Sequence, residues 1–270
     1  MTQSTLRLLR VPSLTLHDVT ADGDTAANDG DPFYRIRVSE FEDLLSRLRK
    51  RGYRTISSRQ FRAWQRSEAV LPERPVVLTF DDGYSSHFDV VTPLLVRYRF
   101  TGTFFVTTDF VGRPGYVTWD HLRKMIFMGM EIGSHGKTHR PLTGLSAKEL
   151  EKELSEPKRV LEAELGVPVR AIAAPGGFWS RAVEDNARRV GYDAAWISEI
   201  GLNRQETRAF ALKRLPIHQG LALDRLMAMA EGHRRLLWIA IARQMGIRVL
   251  KAVLGVGGYE HLKRLMRPDA

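Results

Sequence analysis

Residues 76–84 read Val-Val-Leu-Thr-Phe-Asp-Asp-Gly-Tyr. The near-continuous apolar run at 76–80 is typical of a strand buried on both faces, as in a parallel sheet covered by helices. Two further runs of this kind stand at Thr103–Val106 and at residues 171–174. The stretch therefore predicts an α/β domain in which an acidic pair, Asp81 and Asp82, lies where a buried strand ends.

Helix signals alternate with these runs. Ser39 with Glu42, and Ser146 with Glu149, have the spacing of a capping box and predict two helix starts. Four glycines predict helix ends, each followed by an extended stretch: Gly52, Gly129, Gly166 and Gly191. Repeated βα units form either an open doubly wound sheet or a barrel, and the pattern alone does not choose between them.

Composition narrows the chemistry. Of the 270 residues, 43% are hydrophobic, so a large core can form without covalent cross-links. The chain has no cysteine, and any metal must therefore bind through His, Asp or Glu. Arg7, Arg10 and Pro12 interrupt the apolar residues near the amino terminus, and no apolar run approaches the roughly 20 residues of a membrane span. These features predict a cytoplasmic protein.

Two polar clusters follow predicted strands. Adjacent carboxylates at Asp81 and Asp82 repel each other unless a cation lies between them, although Asp82 could instead cap the next helix. His135 and His139 are four residues apart, a spacing at which two imidazoles can bind one divalent ion; a pair of surface histidines is the alternative. With Asp82 they would form a two-His, one-carboxylate site that leaves positions open for water and substrate.

Taken together, the Thr-Phe-Asp-Asp-Gly motif and the His-x-x-x-His motif resemble the polysaccharide deacetylase family, carbohydrate esterase family 4, with its NodB homology domain. The resemblance implies an irregular (β/α)₇ barrel and a metal-dependent carbohydrate N-deacetylase. By position it implies that Asp81 is the general base, that Asp82, His135 and His139 hold a divalent metal, commonly zinc, and that the backbone amide of Tyr84 binds the oxyanion.

The family's third motif is a strand followed by a Pro and a turn of small residues. Here it is matched by Pro175, Gly176, Gly177 and Phe178, and the resemblance implies that this turn contacts the substrate. A tight βα loop without ligand contact is the alternative. Many family members carry an Arg shortly before the Pro, which holds the catalytic Asp. Here Ala173 and Ala174 stand in its place, so another group must orient Asp81.

Three more residues are candidates for the site. Trp196 resembles the aromatic residue that lines the family's pocket, although a core tryptophan fits the sequence almost as well. His218 in Leu215-Pro216-Ile217-His218 resembles the last motif, which supplies the general acid; a surface histidine is the alternative. His17 is a second candidate for lining the site.

The carboxyl-terminal part differs from the rest. We expect a barrel domain at 1–232 and a basic helical segment at 233–270. That segment contains eight Lys and Arg residues but only two acidic residues. Apolar residues form a wide stripe at 234–254 with Arg and Lys at its margins, which predicts either a helix lying in an anionic membrane surface or a helix packed on the barrel. No nucleic-acid recognition motif accompanies the +10 net charge, so nucleic acid is not expected.

The expected activity is hydrolytic N-deacetylation of an amino-sugar-containing glycan or of a lipid-linked sugar precursor, the latter at the inner face of a membrane. Two alternatives stay open at this point. One is an amidohydrolase acting on a non-sugar amide, because the missing Arg departs from the family pattern. The other is a catalytically silent protein that binds metal and glycan.

Overall fold

The computed structural model describes residues 9–22 and 30–246. The strands in these ranges are β1 (Ser13–Leu16), β2 (Asp18–Thr20), β3 (Arg35–Arg37), β4 (Arg54–Thr55), β5 (Pro75–Phe80), β6 (Thr103–Val106), β7 (Glu131–Ser134), β8 (Ala171–Ala173), β9 (Ala194–Ile200) and β10 (Leu212–Pro216). The α-helices are α1 (Val38–Lys50), α2 (Ser58–Gln65), α3 (Thr92–Tyr98), α4 (Trp119–Phe127), α5 (Ala147–Leu165), α6 (Arg181–Val190) and α7 (Leu223–Ala230). A further helix, here called the C-terminal helix, occupies residues 234–246.

The sheet closes into a barrel. Its strand order is β1-β10-β9-β8-β7-β6-β5, and β1 pairs with β5 as well as with β10, which completes a ring of seven strands. Every pairing in the ring is parallel, and β4 extends the sheet beyond β5. The predicted (β/α)₇ barrel is therefore confirmed, and the open sheet is excluded.

Alternate residues of each strand face opposite sides of the barrel wall. One set, which includes Leu78 on β5 and Phe104 on β6, packs with the helices in the larger hydrophobic cluster. The other set, which includes Val77, Phe105 and Trp196, forms a second cluster inside the barrel. Both sets are apolar, which explains why the strands read as near-continuous apolar runs.

The helix boundaries test the capping predictions. Ser146 caps α5 by accepting from the Glu149 amide, as predicted, and Gly166 and Gly191 end α5 and α6 in the left-handed conformation. The prediction for Ser39 is wrong, because α1 begins at Val38, so Ser39 is already the second residue of the helix. There the Glu40 carboxylate accepts from the amide of Arg37, at 2.9 Å.

The C-terminal helix follows α7 and lies against the barrel domain. Leu236, Leu237 and Ala240 pack on the larger hydrophobic cluster. Within the ranges that the structure describes, every helix is too short or too polar to cross a bilayer. Residues 247–254 of the predicted basic amphipathic helix, and the rest of the segment to 270, lie outside the described residues. The domain division at 232 and 233 stays a prediction.

Candidate active site

A cavity of about 670 Å³ opens at the carboxyl end of the barrel strands. The side chains at the bottom of the cavity belong to the same alternating set of strand residues that faces the inside of the barrel. Two residues beyond Thr79, Trp196 and Leu212, the side chains that enter the cavity are Asp81, Ser198 and Arg214. Ligands of open and closed parallel sheets bind at this end of the strands. The register therefore places the acidic pair of the sequence in the site.

The three predicted metal ligands converge in the cavity. One ligand atom from each of Asp82, His135 and His139 lies within 4.8 Å of the other two. Asp82 and His139 have left-handed backbones, with φ of 79° and 64°. Such a backbone is uncommon for residues with a Cβ and persists only where the surrounding structure holds it. The unusual backbone directions aim two ligands from separate loops at one point.

The donor atoms fit a divalent cation. The Nε2 atoms of His135 and His139 lie 3.2 and 3.0 Å from Asp82 Oδ1. Among the described residues, Asp82 Oδ1 is buried and still has no partner with hydrogen-bond geometry. Burial acts to raise the pKa of Asp82, but the two imidazoles outweigh it and the pKa lies well below its usual range. A buried carboxylate oxygen beside two imidazole nitrogens is a set of donors that can bind a divalent metal ion.

The remaining ring nitrogen of His135 is also fixed. The carbonyl of Ala173 lies 2.9 Å from His135 Nδ1, so this nitrogen donates its proton to the backbone. The tautomer that results leaves Nε2 free to bind a metal.

Glu153 on α5 supports the loop between the two histidines. Its buried carboxylate accepts hydrogen bonds from the amides of Lys137 and Thr138, at 2.9 and 3.0 Å. The Thr138 hydroxyl donates a third, at 2.6 Å. The carboxylate therefore holds the backbone that places His139 opposite His135.

Glu153→Gln is expected to weaken binding of a divalent metal at this cluster by about 10- to 100-fold, as loss of a group that orients metal ligands does. The substituted amide keeps the size of the side chain but offers N–H groups to loop donors that need an acceptor. Titration of the metal-free protein with zinc measures the effect. Glu156→Gln is the control, because Glu156 lies on the same helix and only pairs with Lys137 at the surface. Equal zinc affinity in both variants would contradict this role.

Asp81 is held by a residue that the sequence analysis missed. Arg214 Nη1 donates to both carboxylate oxygens of Asp81 at 2.8 Å, and both side chains are buried. Burial acts to raise the pKa of Asp81, but the Arg214 guanidinium, with His135 and His17, outweighs it and the pKa lies below the usual value. Arg214 thus supplies the orientation that Ala173 and Ala174 cannot.

Tyr84 lies next to the metal ligands. Its ring stacks on Tyr116 at 5.3 Å. Burial and the Asp82 carboxylate both raise the pKa of the Tyr84 hydroxyl. The amide of Ser85 and the carbonyl of Gly83 pair with the segment at 115–117, whereas the Tyr84 amide donates to no carbonyl of the described residues. That amide is therefore available to a ligand.

The turn at 175–177 contributes backbone rather than side chains. Gly176 and Gly177 line the cavity with φ of 65° and 74°. A Cβ on Gly177 would stand 1.9 Å from Ser198 Oγ, so only glycine fits there. Contrary to the prediction, Pro175 and Phe178 are not among the described residues that line the cavity.

Two other predicted residues lie away from the cavity. Trp196 faces the barrel interior one layer below the site, where its Nε1 donates to Ser58 Oγ at 2.8 Å. The core alternative for Trp196 is therefore the right one. His218 stacks on Phe33 with ring centroids 4.4 Å apart, and it does not line the cavity. Pro216, two residues earlier on the inward-facing register, is the last residue of β10 that does.

His17 lines the cavity at the end of β1. Its ring stacks on Tyr34 at 4.5 Å, and its backbone carbonyl lies 2.7 Å from Nε2 of the buried His87. In the part of the chain that the structure describes, His17 Nδ1 has no hydrogen-bond partner. Burial lowers the pKa of His17, while Asp82 and Asp81 act in the opposite direction. His17 is thus an imidazole fixed beside both carboxylates.

Comparison with known proteins agrees with this arrangement. Residues 68–195 match the family model described as polysaccharide deacetylase. YxkH of Bacillus subtilis (strain 168), which is assigned to the polysaccharide deacetylases, is 23% identical over 213 residues that cover 79% of this chain and 73% of that protein. Chitooligosaccharide deacetylase of Sinorhizobium fredii is 32% identical over 122 residues, 44% of this chain. The match spans only 54% of that relative's length.

Solved structures share the fold. The Streptococcus pyogenes deacetylase PplD superposes with a TM-score of 0.73 at 23% identity, over 81% of this chain and 97% of that one. IcaB from Ammonifex degensii superposes with a TM-score of 0.70 at 23% identity, over 82% of this chain and 96% of that one. The matched segment at 68–195, just under half of the chain, lies in a closed parallel barrel around the Asp-His-His cluster, so the chain is similar to the polysaccharide deacetylases in both sequence and fold.

Proposed function

We propose that this protein is a metal-dependent hydrolase that removes the acetyl group from an N-acetylated amino sugar in a glycan or in a lipid-linked sugar precursor. One observation carries the proposal: Asp82, His135 and His139 converge beside a second carboxylate, Asp81, that Arg214 holds in place. The names of relatives support the substrate class, since they include a chitooligosaccharide deacetylase and a peptidoglycan-N-acetylmuramic acid deacetylase.

We propose zinc as the metal, held by Asp82, His135 and His139. Two imidazole nitrogens and one carboxylate oxygen are ordinary zinc ligands, and three protein ligands leave room for water and substrate. When bound, the ion would lower the pKa of a water molecule and polarise the acyl carbonyl.

Amide hydrolysis needs two proton transfers and stabilisation of a negative charge, and we assign each of these to a different residue beside the metal site. Asp81 takes a proton from the attacking water, whose oxygen forms a bond to the acyl carbon. The Tyr84 amide donates to the oxygen that becomes negatively charged. We assign to His17 the donation of a proton to the leaving nitrogen as the carbon–nitrogen bond breaks; burial lowers the pKa of His17, and the Asp82 and Asp81 carboxylates favour its protonated form. The products are acetate and the free amine.

The choice between His17 and His218 as proton donor has a direct test. His17→Gln is expected to lower kcat by about 100-fold or more, because a positioned general acid contributes about 10² to 10⁴. His218→Gln is the matched control and is expected to keep the parent kcat, since His218 lies outside the cavity. Steady-state rates of acetate release measure both. A large loss in His218→Gln with none in His17→Gln would reverse the assignment.

The proposed activity is tested by measuring acetate release from N-acetylated chito-oligosaccharides with the zinc-loaded protein. Simple aromatic and cyclic amides are assayed in parallel. Release from the sugars supports the proposal, whereas turnover confined to the non-sugar amides favours the amidohydrolase. A protein that binds zinc and glycan but releases nothing would be the silent binding protein.

We further propose that the C-terminal helix lies on an anionic membrane surface, where it would meet a lipid-linked substrate. Arg234, Arg235 and Arg243 are exposed on it, and residues 232–246 contain no acidic residue. Arginine beside exposed apolar side chains is the pattern of an interfacial helix. That this surface is the inner face of the membrane stays a prediction.

A further inference from the structure

The C-terminal helix reaches into the cavity through one residue, Gln244. Its side chain lines the cavity wall together with Ser198 and Gly177. The sequence analysis gave the helix no part in the site, because the cavity wall and the helix are separated along the chain by the whole of β10 and α7.

The Gln244 carboxamide is anchored at both ends. Its oxygen accepts from the amide of Ile200 at 3.0 Å, and its nitrogen donates to the carbonyl of Ser198. Both partners are backbone groups at the end of β9, where the strand leaves the barrel. The amide therefore takes the place that a neighbouring strand would fill, and it fixes the position of Ser198 in the cavity wall.

One face of the C-terminal helix is partly buried against the barrel, and the rest of its surface is exposed. Leu236, Ala240 and Gln244 are four residues apart, so they form one stripe, and all three are partly buried. On the other side Trp238, Ile239 and Met245 are exposed to 66%, 45% and 61%. These are large apolar side chains; by helical spacing Arg234 and Arg235 lie on the same side as Trp238, and Arg243 lies at the margin beside Leu236 and Ile239.

A bilayer containing anionic lipid is the occupant that this surface fits best. Each Arg near such a surface contributes favourably to binding, and the apolar side chains can enter the boundary between headgroups and acyl chains. A helix that lay on the bilayer in this way would keep its Gln244 stripe turned toward the barrel.

We propose that the C-terminal helix is at once the membrane-docking surface and a wall of the catalytic cavity, with Gln244 as the positioning residue that joins the two. The cavity then opens beside the bilayer, and the favoured substrate is an N-acetylated sugar attached to a lipid. This inference rests on the proposed deacetylase function.

The test uses the full zinc-loaded chain and two substrates. One is soluble chitotetraose, and the other is N-acetylglucosamine on a long alkyl chain in phosphatidylglycerol vesicles. Gln244→Ala is expected to raise KM for both substrates by roughly tenfold, as loss of one or two hydrogen bonds would do, with kcat and vesicle binding unchanged. Gln65→Ala is the matched control, because its amide donates to three backbone carbonyls away from the cavity and should leave KM unchanged.

A second variant separates docking from catalysis. The double substitution Trp238→Ser with Met245→Ser is expected to lower binding to phosphatidylglycerol vesicles by more than about tenfold, because two large apolar side chains can no longer enter the bilayer. It is expected to slow turnover of the vesicle substrate only. Phe127→Ser, at an exposed apolar residue on α4, is its control.

Each outcome decides one part of the inference. Unchanged KM values in Gln244→Ala would overturn the role of Gln244, and parent-like vesicle binding in the double variant would overturn the docking surface. Self-association that depends on Trp238 and Met245, without vesicle binding, would make a second copy of the chain the occupant instead. Failure of the parent protein to release acetate from either substrate would count against the proposed function, and zinc-dependent binding of the sugar would still report on Gln244.

Discussion

Asp81→Asn is expected to lower acetate release by about 10²- to 10⁴-fold, the range that a positioned general base contributes. The amide keeps the shape of the side chain but cannot take a proton from water. Zinc content should not change, because Asp81 is not among the three ligands. Elemental analysis and single-turnover rates measure the two effects separately.

The same substitution leaves Arg214 with a buried charge and no anionic partner, so a lower Tm is expected as well. Arg214→Met serves as the companion variant. Without the guanidinium, burial raises the pKa of Asp81, and the acidic limb of the kcat/KM profile should move to higher pH. Lys213→Met, on the same strand, is expected to leave the limb in place. Full turnover in Asp81→Asn would remove Asp81 from the mechanism.

His135→Ala is expected to abolish both zinc binding and turnover. The substitution deletes one of three ligands, and its effect on zinc affinity should exceed the roughly 10- to 100-fold that loss of a supporting group costs. Zinc retained after dialysis and acetate release are the two measurements.

The control for this variant is His121→Ala, which removes an imidazole that stacks on Phe88 outside the cavity. It should keep both zinc and activity. Turnover that survives in His135→Ala with no zinc in the protein would show that the reaction does not need the Asp82, His135 and His139 cluster.

The sequence predicts those site residues that lie close to the end of a strand in the chain. Asp81 and Asp82 follow the apolar strand β5, His135 and His139 lie within five residues of the end of β7, and parallel strands bring their carboxyl ends together. Trp196 and His218 were assigned by position in a family motif. Whether Trp196 reaches the cavity depends on the register of β9, and whether His218 does depends on where β10 ends. A sequence motif specifies neither.

Arg214 shows what a register argument could have added. In Leu212-Lys213-Arg214-Leu215-Pro216, Arg214 shares a strand face with Leu212 and Pro216. An arginine on the inward face of a barrel strand is almost never buried without an anionic partner. Gln244 had no comparable signal, because its contacts depend on how a terminal helix returns to the barrel.

Closure of the ring by β1 has a consequence for how the protein folds. Strand β1 can complete its pairing only when β10 is present, because Leu14 pairs with Leu215, about two hundred residues further along the chain. Contacts so distant in sequence slow folding, and a chain emerging from the ribosome cannot complete its catalytic centre until β10 is made. The arginine that neutralises Asp81 lies on that same strand, so Asp81 can pair with its counter-charge only after β10 has joined the ring.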